Sequence, residues 1–314
     1  MNKQFAKDII EGLSSERKTL SSKYFYDDAG SRIFQEIMNM PDYYLTNSEF
    51  EILSLQAKQI IEAVNYNQPF NIIELGAGDG FKTFKLLEYL VNNHIDFHYV
   101  PIDISQGAMD ELTKKLKSKL PKLSIHPKVG DYFEILSKEN VQTKIPSLLL
   151  FLGSNIGNYT KKEAKNLLQL FNNNMKKGDS LLLGVDLKKN PITIQNAYFD
   201  KHGITKRFNI NLLLRINREF DGDFKVDDFD FYCHYNPVNG EVHSYIISLR
   251  DQKVVLNKLG KSFDFAYDEL IWTELSKKYS LEEIDNLARE SGFKTVNHFL
   301  DCKHYFTDTL LVKH

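Results

Sequence analysis

The stretch of this chain whose residue types and spacing could do chemistry is FNIIELGAGDGFKTF, residues 70–84. An apolar run of Phe70, Ile72, Ile73 and Leu75 carries one acid, Glu74, and is followed by glycines at alternate positions, Gly76, Gly78 and Gly80. A strand that ends on glycines lets backbone N–H groups approach a ligand where a Cβ would collide. A pyrophosphate cradle uses G-x-G-x-x-G. Here an acid precedes G-x-G-x-G, and acid and spacing together exclude that fingerprint. Two further strand ends carry matching groups. Asp103 closes VPIDIS, where a carboxylate can accept from both hydroxyls of a ribose. Asp131 and Tyr132 follow in VGDYFE, an acid to accept from an adenine amino group and a ring to pack against the base. Three such sites after three consecutive strands point to a nucleoside-bearing cofactor.

The surrounding pattern must position these groups. From residue 70 to 186 short β-type runs alternate with helical ones. The strand-like runs are 71–75, 97–103, 123–129, 147–153 and 180–186, with amphipathic stretches at 82–91 and 108–120 between them. Thr160-Lys161-Lys162-Glu163 reads as a capping box opening a helix with Leu167, Leu168, Phe171 and Met175 on one face. Near-continuous apolar strands alternating with helices predict a parallel sheet covered on both faces. Ser280-Leu281-Glu282-Glu283 is a second capping box, and β-type runs at 294–300 and 305–312 would complete the sheet. Residues 187–279 break the alternation with turn-rich polar segments and a strand pair at 228–235 and 241–249. They read as an inserted second domain. The aromatic-rich residues 1–50 are expected to pack against it, leaving a cleft beside the cofactor. The expected boundaries are 51–187 with 280–314 for the cofactor domain, and 1–50 with 188–279 for the substrate domain.

Bulk composition removes other classes. A formal net charge of -2 gives no support to a nucleic-acid footprint, which needs clustered basic excess. Two cysteines, Cys233 and Cys302, build no disulfide framework, and no Cys/His spacing resembles a zinc site, so no metal is expected. No signal peptide or membrane span is legible, and a cytoplasmic monomer with no membrane partner is the expectation.

Glu74-Leu75-Gly76-Ala77-Gly78-Asp79-Gly80 resembles motif I of class I S-adenosylmethionine (AdoMet)-dependent methyltransferases. AdoMet has no phosphates, so an acid beside the glycines is tolerated and can serve the cationic amino end of the cofactor. Longer blocks extend the likeness: SKYFYDDAGSRIFQEIMNMPDYYLTNSEFEIL (22–53), FLGSNIGNYT (151–160), GDSLLLGVDLKK (178–189), NAYFDKHGITKRFNINLL (196–213), INREFDGDF (216–224) and WTELSKKYS (272–280). Together they resemble the histidine Nα-methyltransferase family, whose best-known members make hercynine, the trimethyl betaine of histidine, on the route to ergothioneine. The likeness covers essentially the whole chain. It implies an α/β fold: a Rossmann-like, doubly wound class I methyltransferase sheet with a second, inserted α+β substrate domain. It also implies Glu74, Gly76, Gly78 and Lys82 in the AdoMet loop, Asp103 on the ribose and Asp131-Tyr132 around the adenine. Asn158 and Tyr198 match the family's carboxylate-holding residues. Tyr43, Glu274 and Ser276 match its imidazole contacts, and Tyr26 its catalytic tyrosine near the reacting amine.

These roles agree with elementary chemistry. Asn158 and Tyr198 can donate to a carboxylate, and a carboxylate such as Glu274 with a hydroxyl such as Ser276 suits imidazole N–H groups. Glu274 and Ser276 stand at i and i+2, on one side of an extended segment. The sulfonium-bound methyl of AdoMet is already electrophilic, so alignment of a neutral amine lone pair should dominate catalysis. Two departures from the family pattern bear on the acceptor. Ser244 stands where the family usually presents a methionine to the substrate side chain, and bulky Trp272 precedes the Thr-Glu-x-Ser segment. A same-fold enzyme acting on another amino acid or amine, tryptophan-like for example, is the first alternative. A non-catalytic AdoMet-binding module is the second. An NAD-dependent dehydrogenase is disfavoured by the glycine spacing. Glu274 and Ser276 favour imidazole over indole, which has one donor and no charge.

Overall fold

The computed structural model describes residues 3–131, 134–135 and 145–313. The N-terminal helices are α1 (Lys3–Ser14), α2 (Asp28–Met38), α3 (Tyr44–Leu55) and α4 (Ala57–Val64). An alternating stretch follows: β1 (Phe70–Leu75), α5 (Thr83–Asn92), β2 (Phe97–Asp103), α6 (Gln106–Lys119), β3 (Lys128–Val129), β4 (Ser147–Phe151), α7 (Lys161–Asn174) and β5 (Ser180–Asp186). Next come α8 (Pro191–Tyr198), α9 (Ile204–Phe220), β6 (Phe229–Asn236), β7 (Glu241–Ser248), β8 (Gln252–Leu256), β9 (Lys261–Phe265) and β10 (Leu270–Lys277). The chain closes with α10 (Leu281–Glu290), β11 (Phe293–Leu300) and β12 (Phe306–Lys313). Two compact units result, Met1–Tyr44 with Lys189–Lys277, and Leu45–Lys188 with Lys278–His314. The sequence pattern had put the corresponding breaks at 50/51, 187/188 and 279/280.

The second unit is a seven-stranded sheet in the order β11-β12-β5-β4-β1-β2-β3. β1 pairs in parallel with β2 and with β4, β4 with β5, and β12 runs antiparallel between β5 and β11. Every residue of β1, β4 and β5 is buried, as strands covered on both faces require. Both expected capping boxes form, Thr160 with Glu163 on α7 and Ser280 with Glu283 on α10. They start the helices that pack Leu167, Leu168, Phe171, Ile284 and Leu287 into the core. The strand order reverses between β1 and β4, and in open α/β sheets ligands bind outside such a switch point, at the carboxyl ends of the strands. The glycine loop leaves β1 at that end.

The expected strand at 123–129 is corrected. Only Lys128–Val129 pair as a strand, with an isolated bridge between Tyr99 and Ile125. The missing donor is on β2: Tyr99 N–H donates to Ser124 O and Gly130 N–H to Asp103 O, but Pro101 between them has no N–H to give, which interrupts the ladder on this edge.

The first unit holds a three-stranded antiparallel sheet, β10-β7-β6, and a separate hairpin, β8-β9. Its core joins the N-terminal segment to the insertion, with Phe5, Ile9, Leu13, Tyr24 and Phe25 buried together with Phe208, Leu212, Ile216 and Phe220 of α9. The insertion contains more than a strand pair, because α8, α9 and β10 all form there. The i, i+4 stripe Phe208, Leu212, Ile216 and Phe220 carries the helical signal, diluted in NINLLLRIN by asparagines, which are weak helix formers.

At the end of β5 the carboxylate of Asp186 meets Lys278 Nζ at 2.8 Å, both side chains fully buried. Removing one partner of a dry ion pair leaves the other charge poorly compensated, at a cost of about 3–5 kcal/mol. Lys278→Met is therefore expected to destabilise the fold by about that amount in urea titrations. Adding Asp186→Asn in the same chain should recover most of the loss.

Candidate functional site

The loop after β1 explains its glycines by geometry. Gly76, Gly78 and Gly80 have φ of 69°, 54° and 62°, in the left-handed region that side chains disfavour. A Cβ at Gly76 or Gly78 would meet nothing within 4 Å, so the loop faces open space there, while at Gly80 it would strike Leu112 at 2.4 Å. The glycine N–H groups, however, are already used. Gly76 N–H donates to Ile102 O (2.8 Å), Gly78 N–H to Asp103 Oδ2 (3.1 Å) and Gly80 N–H to Ala77 O (3.1 Å). These donors hold the turn, and the glycines supply turn geometry and a bare surface. That suits a ligand without phosphates better than one with them.

Asp103 ends β2 beside this loop. Its two oxygens accept from Gly78 N–H and Ser105 N–H (3.1 Å each), which fixes the carboxylate and leaves each oxygen further acceptor capacity. Glu74 is turned inward instead, 4% exposed, and accepts from Thr83 Oγ1 and Tyr99 OH. Burial pushes its carboxyl up to about 7, although those hydrogen bonds and Lys82 oppose the rise. Asp131 is exposed after Gly130, whose N–H donates to Asp103 O at 2.9 Å. Tyr132 lies outside the described residues.

Lys82 forms an ion pair with Glu49, a fully buried carboxylate on α3. Burial pulls the ammonium toward neutrality, but Glu49 outweighs it and the net shift is upward. Glu49 also accepts from Gly153 N–H at 2.7 Å, so one side chain ties the glycine-loop helix to the turn after β4. Asp308 of β12 lies in the same cluster, fully buried, its carboxyl driven well above the usual range by burial and by the Glu49 charge. Sequence reasoning missed Glu49. Its signal was an acid inside the otherwise apolar and neutral face of LTNSEFEIL. The turn beyond Gly153 runs through a 3₁₀ segment, Asn155–Asn158, which places Asn158 exposed at its end.

The remaining sequence-predicted residues fall together in the first unit. The Tyr198 and Ser276 hydroxyls are hydrogen-bonded at 2.9 Å, and the Tyr43 ring lies edge-on to Tyr198 with centroids 6.3 Å apart. Tyr26 packs edge-on against Phe34 and Phe208, at 5.4 and 5.6 Å. Tyr26 is 44% exposed as a residue; desolvation of its phenol, then the neighbouring Glu274 and Tyr198, raise the hydroxyl above the ordinary tyrosine range. Glu274 pairs across β10 and β7 with Ser244, and Ser276 with Val242, so all four share one face of the sheet. Trp272 does not narrow that face. It pairs with Tyr245 on the opposite side and donates from Nε1 to His243 Nδ1 at 3.1 Å.

An open, glycine-bounded strand end with a fixed carboxylate at the next strand fits AdoMet. Sheet order, switch point and loop define a class I methyltransferase fold. A solved relative supports this: magnesium protoporphyrin IX methyltransferase from Synechocystis PCC 6803, with bound SAH, superposes with a TM-score of 0.50 at 12% identity, over 93% of this chain and 98% of that one. The family profile described as histidine-specific methyltransferase, SAM-dependent, matches residues 5–313, and the chain belongs to that family. It is 32% identical over 311 residues to the histidine N-alpha-methyltransferase of Mycolicibacterium smegmatis, covering 98% of this chain and 94% of the relative. The Mycobacterium tuberculosis protein of the same name is 31% identical, over 94% and 90%. The chain is thus an AdoMet-dependent methyltransferase of the histidine-specific family. Among the described residues no helix is long and apolar enough to cross a membrane.

Glu74 gives the cofactor unit a pH signature. Its folded-state value of about 7 lies above the ordinary 4.5. The stability held by the protonated carboxyl is therefore full below pH 4.5 and lost as pH rises through 7. Glu74→Gln stays neutral throughout. Between pH 5 and 8 its unfolding free energy should gain about 2 to 3 kcal/mol relative to the native chain. Denaturant titrations at the two pH values check this.

Proposed function

We propose that this enzyme methylates the α-amino nitrogen of L-histidine, carrying it to the trimethyl betaine hercynine, and that it works as a cytoplasmic monomer. The observation that carries the acceptor is the shared face of β10 and β7, where Glu274, Ser276 and Ser244 stand together and Tyr198 is bonded to Ser276. A carboxylate and a hydroxyl on one face match the two nitrogens of an imidazole, one as N–H donor and one as acceptor. In this reading the unit built on residues 45–188 and 278–314 holds AdoMet. Gly76 and Gly78 provide its bare floor, Asp103 takes the ribose, Asp131 and Tyr132 the adenine, and Lys82 the amino-acid end, while Glu74 braces the loop from the core side through Thr83 and Tyr99. The unit built on 1–44 and 189–277 receives the acceptor's imidazole on Tyr43, Glu274 and Ser276. Tyr198, in the same unit, holds its carboxylate.

AdoMet supplies an electrophilic methyl when bound. The chain's own residues then have to present a neutral amine in line, so positioning carries the rate. Tyr26 suits this as a neutral partner. With its phenol shifted upward, the hydroxyl keeps its proton at physiological pH and can hydrogen-bond the amine without acting as a phenolate base. Tyr26→Phe is expected to lower kcat by on the order of tenfold or more while leaving the AdoMet Kd within about twofold. Equal losses in both would remove Tyr26 from this role.

A second reading, transfer to a bulkier aromatic amino acid, draws support from Ser244, a small, 1%-exposed residue directly opposite Glu274. One assay separates the two. The protein is incubated with AdoMet and each amino acid in turn, and products are weighed for one, two or three added methyls. Three methyls on histidine are the expected result. Transfer to a different amino acid but not to histidine would move the assignment to the second reading, and no transfer to any of them would point to a binding module.

A further inference from the structure

On β10 the register slips by one residue between Trp272 and Glu274. Ile271 faces Ile246 and Trp272 faces Tyr245, but Ser244 is met by Glu274, not by Thr273. Thr273 is the extra residue of a β-bulge. Bulges re-aim the side chains that follow them, because a one-residue slip moves every later side chain to the other face. Without the bulge Thr273 would stand opposite Ser244. Glu274 would face His243 on the side that carries Trp272 and Tyr245. With it, Glu274 and Ser276 share the face of Ile271, Ile246, Ser244 and Val242.

The bulge is held on two sides: the Trp272 backbone accepts from Leu20 N–H and donates to Lys18 O, and Thr273 reaches α9. Thr273 is 1% exposed, and its hydroxyl donates to Asn209 Oδ1 at 2.8 Å, with the Ser244 carbonyl at 3.1 Å. Asn209, on α9, is fully buried, and its own amide donates back to Thr205 O at 3.1 Å. An asparagine and a threonine in a dry interior are each satisfied by this chain of bonds. Breaking one link leaves a buried polar group without its partner, which favours an ordinary ladder over the bulge.

We propose that Asn209 and Thr273 are positioning residues that set acceptor specificity, by holding the bulge that aims Glu274 and Ser276 at the imidazole. This rests on the reading of Glu274 as an imidazole contact. The hydrogen bonds of these two side chains run to each other, to Ser244 O and to Thr205 O. Their loss should therefore weaken recognition of the acceptor ring selectively.

The experiment compares Thr273→Val, Thr273→Ser, Asn209→Ala and Glu274→Gln in the full chain. For each it measures histidine KM and kcat, the AdoMet Kd, the melting temperature, and the ratio of histidine to tryptophan turnover. Thr273→Val and Asn209→Ala should each raise histidine KM about tenfold or more, equivalent to about 1.4 kcal/mol. AdoMet Kd and kcat at saturating histidine should stay within about threefold, and the histidine-to-tryptophan ratio should fall. Thr273→Ser, which keeps the hydroxyl, should restore KM to within about twofold of the native value. If Asn209→Ala fails to fold, the near-isosteric Thr273→Val and its serine counterpart still decide the matter. Loss of stability with an unchanged histidine KM would overturn the proposal, as would losses in KM and AdoMet Kd of equal size. A Glu274→Gln chain with native histidine KM would overturn the underlying reading, and the proposal with it. Loss in Glu274→Gln with none in Thr273→Val would leave that reading standing and sink the bulge alone.

Discussion

A β-strand hands its side chains to two faces in strict alternation, and both units of this enzyme depend on where that alternation is kept or broken. In β1 it is kept. Glu74 sits in a fully buried strand, its carboxyl sent to the face where Thr83 and Tyr99 wait, and the chain then leaves the sheet at Leu75 into a turn whose positive φ angles favour glycine. In β10 it is broken. A single inserted residue keeps Glu274 and Ser276 on the face that the strand's first half already shares with Ile246. The same rule that makes strands easy to pattern therefore makes their chemistry sensitive to a shift of one position.

Burial is the second constraint, and it acts through charge. Glu49, Glu74 and Asp308 are three acids in the dry part of the cofactor unit, with Lys82 the cation whose charge acts on each of them. Carboxylates held that close in low dielectric cannot all ionise, so the upward shifts of Glu74 and Asp308 are what the cluster requires. The lysine goes to Glu49, which is the acid that also holds Gly153 N–H. That choice fixes the turn after β4 from beneath, using a charge-assisted bond rather than the contact of a side chain from above.

Local signals carried the sheet and much of the cofactor end into view from sequence alone. Gly76, Gly78 and Gly80 could be read because positive φ is a one-residue requirement, and the boxes at Thr160 and Ser280 because a cap is a four-residue one. Features set by partners distant in the chain stayed hidden. Glu49 and Lys82 are 33 residues apart, and nothing in LTNSEFEIL names a lysine in GDGFKT. Trp272 beside Thr-Glu-x-Ser looked like a pocket wall because alternation counted straight through Thr273 offers no other reading. The 123–129 run looked like a full strand because its own composition does not register that Pro101, on the neighbouring strand, withholds a ladder donor.

Missing the bulge and weighing Ser244 are connected. Ser244 gains meaning only through its register partner. Opposite Thr273 it would be one more small buried hydroxyl, and opposite Glu274 it sets how much room lies beside that carboxylate. Its backbone carbonyl also lies against the Thr273 hydroxyl, so the residue that shapes the pocket is bonded to the residue that aims the carboxylate. A substitution at 244 that moved the strand would then change direction as well as volume. On the proposal above, acceptor preference follows strand register as much as side-chain size. Exchanging side chains at 244 and 274 between relatives should carry preference across only where the bulge between those positions is carried with them.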